Sequence, residues 1–409
     1  MTYKSTMLAC EFGITTQALV NNLMPILFVI FKDSFGISYT LIANIMLLNF
    51  TIQLLTDGLS IKIIKRLGYR KTGILAQICA ALGLILLGIL PRIFPMYISL
   101  LLSVAFCAFG GGLLEVMVSP IVDSLDTGHS SARMSMLHSF YCWGQLAVIL
   151  ISTTAIKLFS NTIWQILPLC WSVVPIVNIF LFAAVPMPKT DNSSETNTSG
   201  SLLKSSLFIT MCLLMLCSGA AEITMSQWAS LFAQKGLGID KFAGDLLGPC
   251  LFALLMGTGR LLYGIFGARL DLKKSLAFCS LLCTACYLTA ALSENPYIAL
   301  LGCSVTGFSV SIMWPGVYSY SSKMIPRGGA AMFGLLALFG DIGCSLGSWL
   351  CGTVSDFSQR LPEIVQYAAD IGIIPEQLGL KLGIGLTTIF PIIMLILLVL
   401  TTKKGLRSK

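Results

Sequence analysis

The sequence predicts an all-α membrane protein whose twelve transmembrane helices form two pseudo-symmetric six-helix bundles. Three observations predict it. First, 56% of the 409 residues are hydrophobic and 11% are charged, whereas a soluble domain carries about 25% charged residues. With a mean hydropathy of +0.87, the chain lacks the polar groups to cover a surface facing water. Second, the apolar residues gather in twelve runs long enough to cross a bilayer. These runs are continuous rather than alternating, which excludes a β-barrel and leaves helices. Third, one polar stretch divides the runs six and six.

The runs of the first half fall near 8–31, 39–62, 73–90, 96–122, 134–158 and 163–185. Those of the second fall near 205–233, 243–267, 275–293, 296–321, 330–354 and 382–401. Between them, residues 186–204 read PMPKTDNSSETNTSGSLLK, a flexible linker rich in Pro, Ser, Thr and Asn. The expected domains are therefore 1–185 and 205–409, joined by 186–204. Near the end, 355–381 mixes Asp356, Glu363, Asp370 and Glu376 with apolar residues, which predicts a short surface helix. The first run is too long and too polar inside for a cleaved signal segment.

The net charge of +8 belongs to topology rather than to a nucleic-acid partner, because the basic residues sit in short loops between apolar runs. With the N-terminus inside, inner segments hold 18 of the 26 Lys and Arg, outer segments hold 7, and Arg260 lies within a run. That bias places both termini and the linker in the cytoplasm, and the linker's glycosylation sequons then carry no meaning. The expectation is a monomeric, multi-pass protein of a cell inner membrane with the lipid bilayer as its medium. The 14 cysteines lie in apolar segments and read as small hydrophobes. Cys279, Cys283 and Cys286 share a helical face, but no His or acid accompanies them, so no metal is expected.

Helix four contains Gly112 and, eight residues on, Pro120; helix ten contains Gly307 and Pro315 at the same spacing. Both pairs are offset by 195 residues and occupy the fourth position of their half. Two halves related by duplication are a transporter pattern, with a solute bound between them near the midplane and exposed to each side in turn.

Ionisable groups inside a bilayer are costly and therefore point to function or to a structural pair. Glu115 on helix four and Glu222 on helix seven are the candidate proton-coupling acids, since a buried carboxyl takes up and releases a proton as its hydration changes. Gln227 lies five residues from Glu222, about 140° around the helix. Trp228 beside it either stacks on a solute ring or packs. Asp341 on helix eleven is the candidate partner of Arg260 on helix eight, in a pair that is structural or faces the solute. Asp57, with the cluster that includes Arg66 and Arg70, forms either an inner gate or a snorkelling end, and Glu11 snorkels. His129 lies in a loop. Phe140, Tyr141, Trp143, Trp314 and Tyr318 are aromatics of helices five and ten; Tyr141, Trp314 and Tyr318 are taken as solute contacts, against the alternative of an interfacial belt. Gly110, Gly111, Gly112, Gly340, Gly343 and Gly347 permit close helix approach.

Several of these segments resemble the major facilitator superfamily, and within it the fucose permease branch of sugar:proton symporters. Asn21-Asn22 in ALVNNLMPIL is similar to that branch's Asn-Asn-Leu segment. GLLEVMVSP resembles its Gly-x-x-Glu-x-x-x-Asn-Pro segment, with Glu115 on the acid and Ser119 replacing the Asn. HSFYCWG resembles Gln-Thr-Phe-Asn-Ser-Phe-Gly, with His138 on the family's substrate-binding Gln and Tyr141 on an Asn. The resemblance implies a twelve-helix fold, Glu115 as a proton carrier, and Asn21, Asn22, His138 and Tyr141 at the solute. Departures accompany it. The family's first-helix acid falls on Pro25, which leaves its two-acid relay incomplete. The signature after helix two appears as IKIIKRLGYRK, where Arg66, Gly68, Arg70 and Lys71 fit and Ile61, Lys65 and Tyr69 do not. His138 and Tyr141 predict a solute other than fucose.

The expected function is secondary active transport of a small polar solute, sugar or sugar-like, by proton symport with alternating access. The alternatives are an exporter of amphipathic compounds, an uncoupled facilitator, or a membrane sensor, which would bring a soluble output domain. No P-loop, G-x-S-x-G elbow or metal-spaced ligand cluster is present, so neither an enzyme nor a cofactor is expected.

Overall fold

The computed structural model describes residues 3–123, 130–187, 202–266, 270–325 and 329–405. His129, Arg327 and most of the predicted linker lie outside them. Among the described residues the fold is all-helical, and twelve helices are long and apolar enough to cross a membrane. In chain order the spans are Lys4–Phe35, Tyr39–Ser60, Lys62–Arg92, Met96–Val122, Leu137–Phe159, Asn161–Ala184, Ser206–Gly236, Lys241–Tyr263, Leu272–Leu292, Pro296–Met324, Gly334–Ser358 and Pro375–Thr401. A helix rises about 1.5 Å per residue, so even the shortest, at 21 residues, crosses a hydrocarbon core of about 30 Å.

The ends follow local chemistry. Backbone hydrogen bonds run from Tyr39 to Ile89, but Gly68 interrupts the helix with φ of 73°. Only glycine adopts that conformation without strain, and the chain turns there, within the first part of the third span. The short helix expected within 355–381 is Pro362–Asp370. The last span starts at Pro375, earlier than its apolar run, because proline is favoured in the first turn and Gly372 (φ 72°) separates it from the preceding helix.

The chain forms two compact units, residues 1–37 with 48–194, and residues 38–47 with 195–409. In the first, Cys10, Ile14, Leu113, Leu114, Met117, Val118 and Phe182 form a buried core. A Cβ on Gly110 would stand 2.6 Å from the Ala76 carbonyl oxygen, so the third and fourth spans meet backbone to backbone. In the second, Phe208, Trp228, Phe232, Phe252 and Tyr287 are fully buried. There Gly343 lies against the Leu216 carbonyl and Gly340 under the Trp314 ring. The beginning of the second span packs within this unit: Asp356 accepts from the backbone N–H groups of Tyr39 at 3.2 Å and Thr40 at 2.7 Å, and Tyr39 Oη donates to Glu376 at 2.7 Å. Asp356 thereby satisfies two of the N–H groups that every helix start leaves open.

Candidate functional site

Each unit holds a polar cluster inside its helices. In the first unit the cluster starts on the first span, where Gln17 and Asn21 share a face four residues apart. Gln17 Nε2 donates to Glu115 Oε2 at 2.6 Å. Gln53 Nε2 of the second span donates to Asn21 Oδ1 at 2.8 Å. Asn22 Nδ2 donates to the Ala18 carbonyl at 2.8 Å and to the Tyr141 hydroxyl at 3.4 Å. Gly111 makes room for this: a Cβ there would come within 3.5 Å of the Gln53 amide nitrogen. Asn21, Asn22, Gln17 and Gln53 are buried, whereas Glu115 and Tyr141 are half-buried. The cluster thus offers a carboxyl, amides and a phenol that donate and accept hydrogen bonds in several directions.

His138 is exposed on the fifth span. Of the inner-gate candidates, Asp57 is half-buried and Arg66 exposed. Arg70 donates from Nη1 to the Ala183 carbonyl and from Nη2 to the Val185 carbonyl, both at 2.9 Å. It therefore caps the end of the sixth span, where helical carbonyls lack partners, which is a structural role the sequence reading did not foresee.

In the second unit the cluster is built on charge. Arg260 Nη2 lies 3.4 Å from Glu222 Oε1, and Arg260 Nε donates to the Ser311 carbonyl at 3.2 Å. The sequence points to Asp341 as the partner of Arg260; the structure shows an ion pair with Glu222. Asp341 is buried on the eleventh span. Trp314 and Tyr318 are half-buried and meet edge to face, with ring centroids 6.4 Å apart. Gln227 Oε1 accepts from Ser348 Oγ at 3.2 Å, and Trp228 Nε1 donates to the same Oγ at 3.0 Å. Trp228 is 0% exposed and meets Tyr39 edge-on, so its ring packs in the interior and offers no open face to a solute.

Sequence reasoning missed Gln17 and Gln53, the direct partners of Glu115 and Asn21, although Gln17 was signalled by its spacing from Asn21. It also missed a pair between half-buried Lys241 and buried Asp245 at the start of the eighth span. There Lys241 Nζ reaches Asp245 Oδ2 at 2.8 Å, and the Ser230 hydroxyl bonds Asp245 Oδ1. A cavity of about 840 Å³ lies beside the surface helix, lined by Leu292, Tyr367, Leu378 and Lys381 among others, and none of the predicted site residues lines it. Among the described residues no group of His, Cys, Asp and Glu is placed to hold a metal ion.

The fold is shared with solved structures at low sequence identity. A bacterial homolog of the human lysosomal transporter Spinster, inward-facing and occupied, superposes with a TM-score of 0.73 at 14% identity, covering 98% of this chain and 97% of that one. The E. coli fucose:proton symporter FucP gives 0.61 at 17% identity, covering 96% and 99%. The nucleoside transporter NupG gives 0.76 at 10% identity, again covering 96% and 99%. No curated protein matches the chain significantly. The family model described as Major Facilitator Superfamily matches residues 12–348, and with its twelve spans the chain is a multi-pass membrane transporter belonging to that superfamily.

Proposed function

We propose that the chain carries a small polar solute, a sugar or sugar-like compound, across the membrane in symport with protons, with Glu115 and Glu222 as the acids that exchange them. The observation that carries this reading is the contact between Gln17 and Glu115 at 2.6 Å, with two further polar pairs made by the same first span, Asn21–Gln53 and Asn22–Tyr141. A carboxyl held by a neutral amide is poised to change its proton without losing its position. The surrounding amides and the Tyr141 ring suit a solute with several hydroxyl groups. His138, Trp314 and Tyr318 complete the proposed solute contacts. That a fucose:proton symporter and a D-xylose-proton symporter share the fold is in keeping with this. The bias of basic residues supports cytoplasmic termini.

Purified protein in proteoliposomes tests it. Under an imposed inward pH gradient, a labelled sugar should accumulate. Glu115→Gln should abolish accumulation while leaving solute exchange without a gradient, because it removes the titrating group and keeps the shape. Uptake indifferent to the gradient, with Glu115→Gln behaving as wild type, would show an uncoupled facilitator. Transport confined to amphipathic compounds would show an exporter.

A further inference from the structure

The tenth span is broken in its middle. One helix ends at Val310 and the next begins at Met313, with a turn at 311–312. The cause is four residues downstream of the break's first residue. Pro315 has no N–H, so the carbonyl of Ser311 has no helical donor. In lipid, where water is absent, a bare carbonyl needs a replacement donor. Arg260 Nε supplies one at 3.2 Å. Nη2 of the same guanidinium faces Glu222 Oε1 at 3.4 Å. Nε and Nη2 form the edge with which arginine usually grips one carboxylate by two parallel bonds. Here that edge is divided between a carboxylate of the seventh span and a backbone carbonyl of the tenth. Glu222 Oε2, buried, accordingly makes no hydrogen bond.

Packing at the same level is close. A Cβ on Gly259, next to Arg260, would overlap Ser311 Oγ and stand 2.7 Å from Ser311 Cβ. The eighth span thus presses on the tenth at its break. Past the break, the Trp314 ring lies on Gly340 and Tyr318 meets Trp314 edge-on.

We propose that Arg260 is a positioning residue for transport: it holds the tenth span in its broken form by donating to the carbonyl that Pro315 leaves bare, and so sets where Trp314 and Tyr318 stand. Glu222 orients the guanidinium for that task. The link to transport rests on the reading that these two aromatics contact the solute.

The proline supplies a selective test. Pro315→Ala gives residue 315 an N–H that takes over the Ser311 carbonyl, so Arg260 becomes dispensable for the break. Glu222→Gln combined with Arg260→Gln removes both charges of this ion pair together. Amide hydrogen exchange of residues 313–324 is followed in full-length protein in lipid nanodiscs, with no solute and no gradient. The double variant should exchange about tenfold faster there, the value of one hydrogen bond of ordinary strength. Adding Pro315→Ala should bring the rate back to within about twofold of wild type. Arg260→Lys, which keeps a cation beside Glu222 but lacks the planar fork, should show the same loosening and the same rescue. Exchange unchanged on removing Arg260, or loosening that persists with Pro315→Ala, would overturn the proposal. Because the measurement needs neither solute nor protons, it stands or falls separately from the transport reading.

Discussion

The fourth and tenth spans carry the same eight-residue spacing from glycine to proline, yet they take different shapes. The fourth is one continuous helix, Met96–Asp123, running through Pro120. The tenth breaks at Ser311. In both, proline removes the donor for the carbonyl four residues earlier. What differs is the neighbour. Gly307 lets the tenth span touch the Phe252 backbone, and Arg260 on that same eighth span then reaches the freed Ser311 carbonyl. A Cβ on Gly112 of the fourth span would stand 3.2 Å from the Thr56 side chain and 3.3 Å from the Gln53 backbone, a looser approach. The electrostatics differ in parallel. The first unit holds its acid, Glu115, with the neutral amide of Gln17; the second holds Glu222 with a guanidinium. A shared sequence signal sets where a helix is weak, and the donor beside it decides whether it opens.

Five substitutions press on this contrast. The largest effect is expected from Arg260→Ala, which strands a buried carboxylate. It should cost about 3–5 kcal/mol, as breaking one side of a buried pair does, seen as a lowered unfolding midpoint in detergent. Glu222→Gln in the same chain should return part of that loss, since that carboxylate then no longer needs a countercharge. If the single and double variants melt alike, the pair is not what Arg260 stabilises. Gln17→Leu in the first unit should cost less, about 1–3 kcal/mol, because it removes a hydrogen bond to a carboxyl rather than a countercharge. The same unfolding assay checks it, and a loss as large as that of Arg260→Ala would erase the distinction between the units. The smallest effect separates the two prolines. Pro120→Ala adds an N–H to an unbroken helix and should stabilise by about 1 kcal/mol. Pro315→Ala should be close to neutral, since its new N–H competes with Arg260 for a carbonyl already bonded. Equal shifts for the two would mean that the spans differ less than their shapes indicate.

Much of the fold was legible before any coordinates. Apolar run length placed all twelve spans, and Pro362 lies in the 355–381 segment where a surface helix was expected. Asn21, Asn22, Tyr141 and Glu115 stand out in the sequence, and the structure pairs Asn22 with Tyr141. Gln17 and Gln53, the partners of Glu115 and Asn21, do not stand out, because an amide in an apolar run looks the same whether it faces a partner or a neighbouring backbone. For the cluster that includes Arg70 the sequence offers a gate or a snorkelling end, and its neighbours in sequence give no sign that the carbonyls of Ala183 and Val185 lie within reach. Trp228 meets Tyr39 and Ser348, contacts distant in the chain that no local pattern announces.

The sequence by itself determined the medium, the spans and the places where helices weaken. Each of these is local: a segment of about 20 apolar residues is driven into lipid on its own account, and a proline removes its own donor wherever it sits. Only the tertiary structure decided which buried polar groups meet. Glu222, Arg260 and Ser311 are separated by 38 and 51 residues along the chain, and their contact depends on how three helices are rotated and how closely small residues let them approach. No local pattern encodes that rotation, so the sharing of one guanidinium between a carboxylate and a broken helix appears only once the helices are packed.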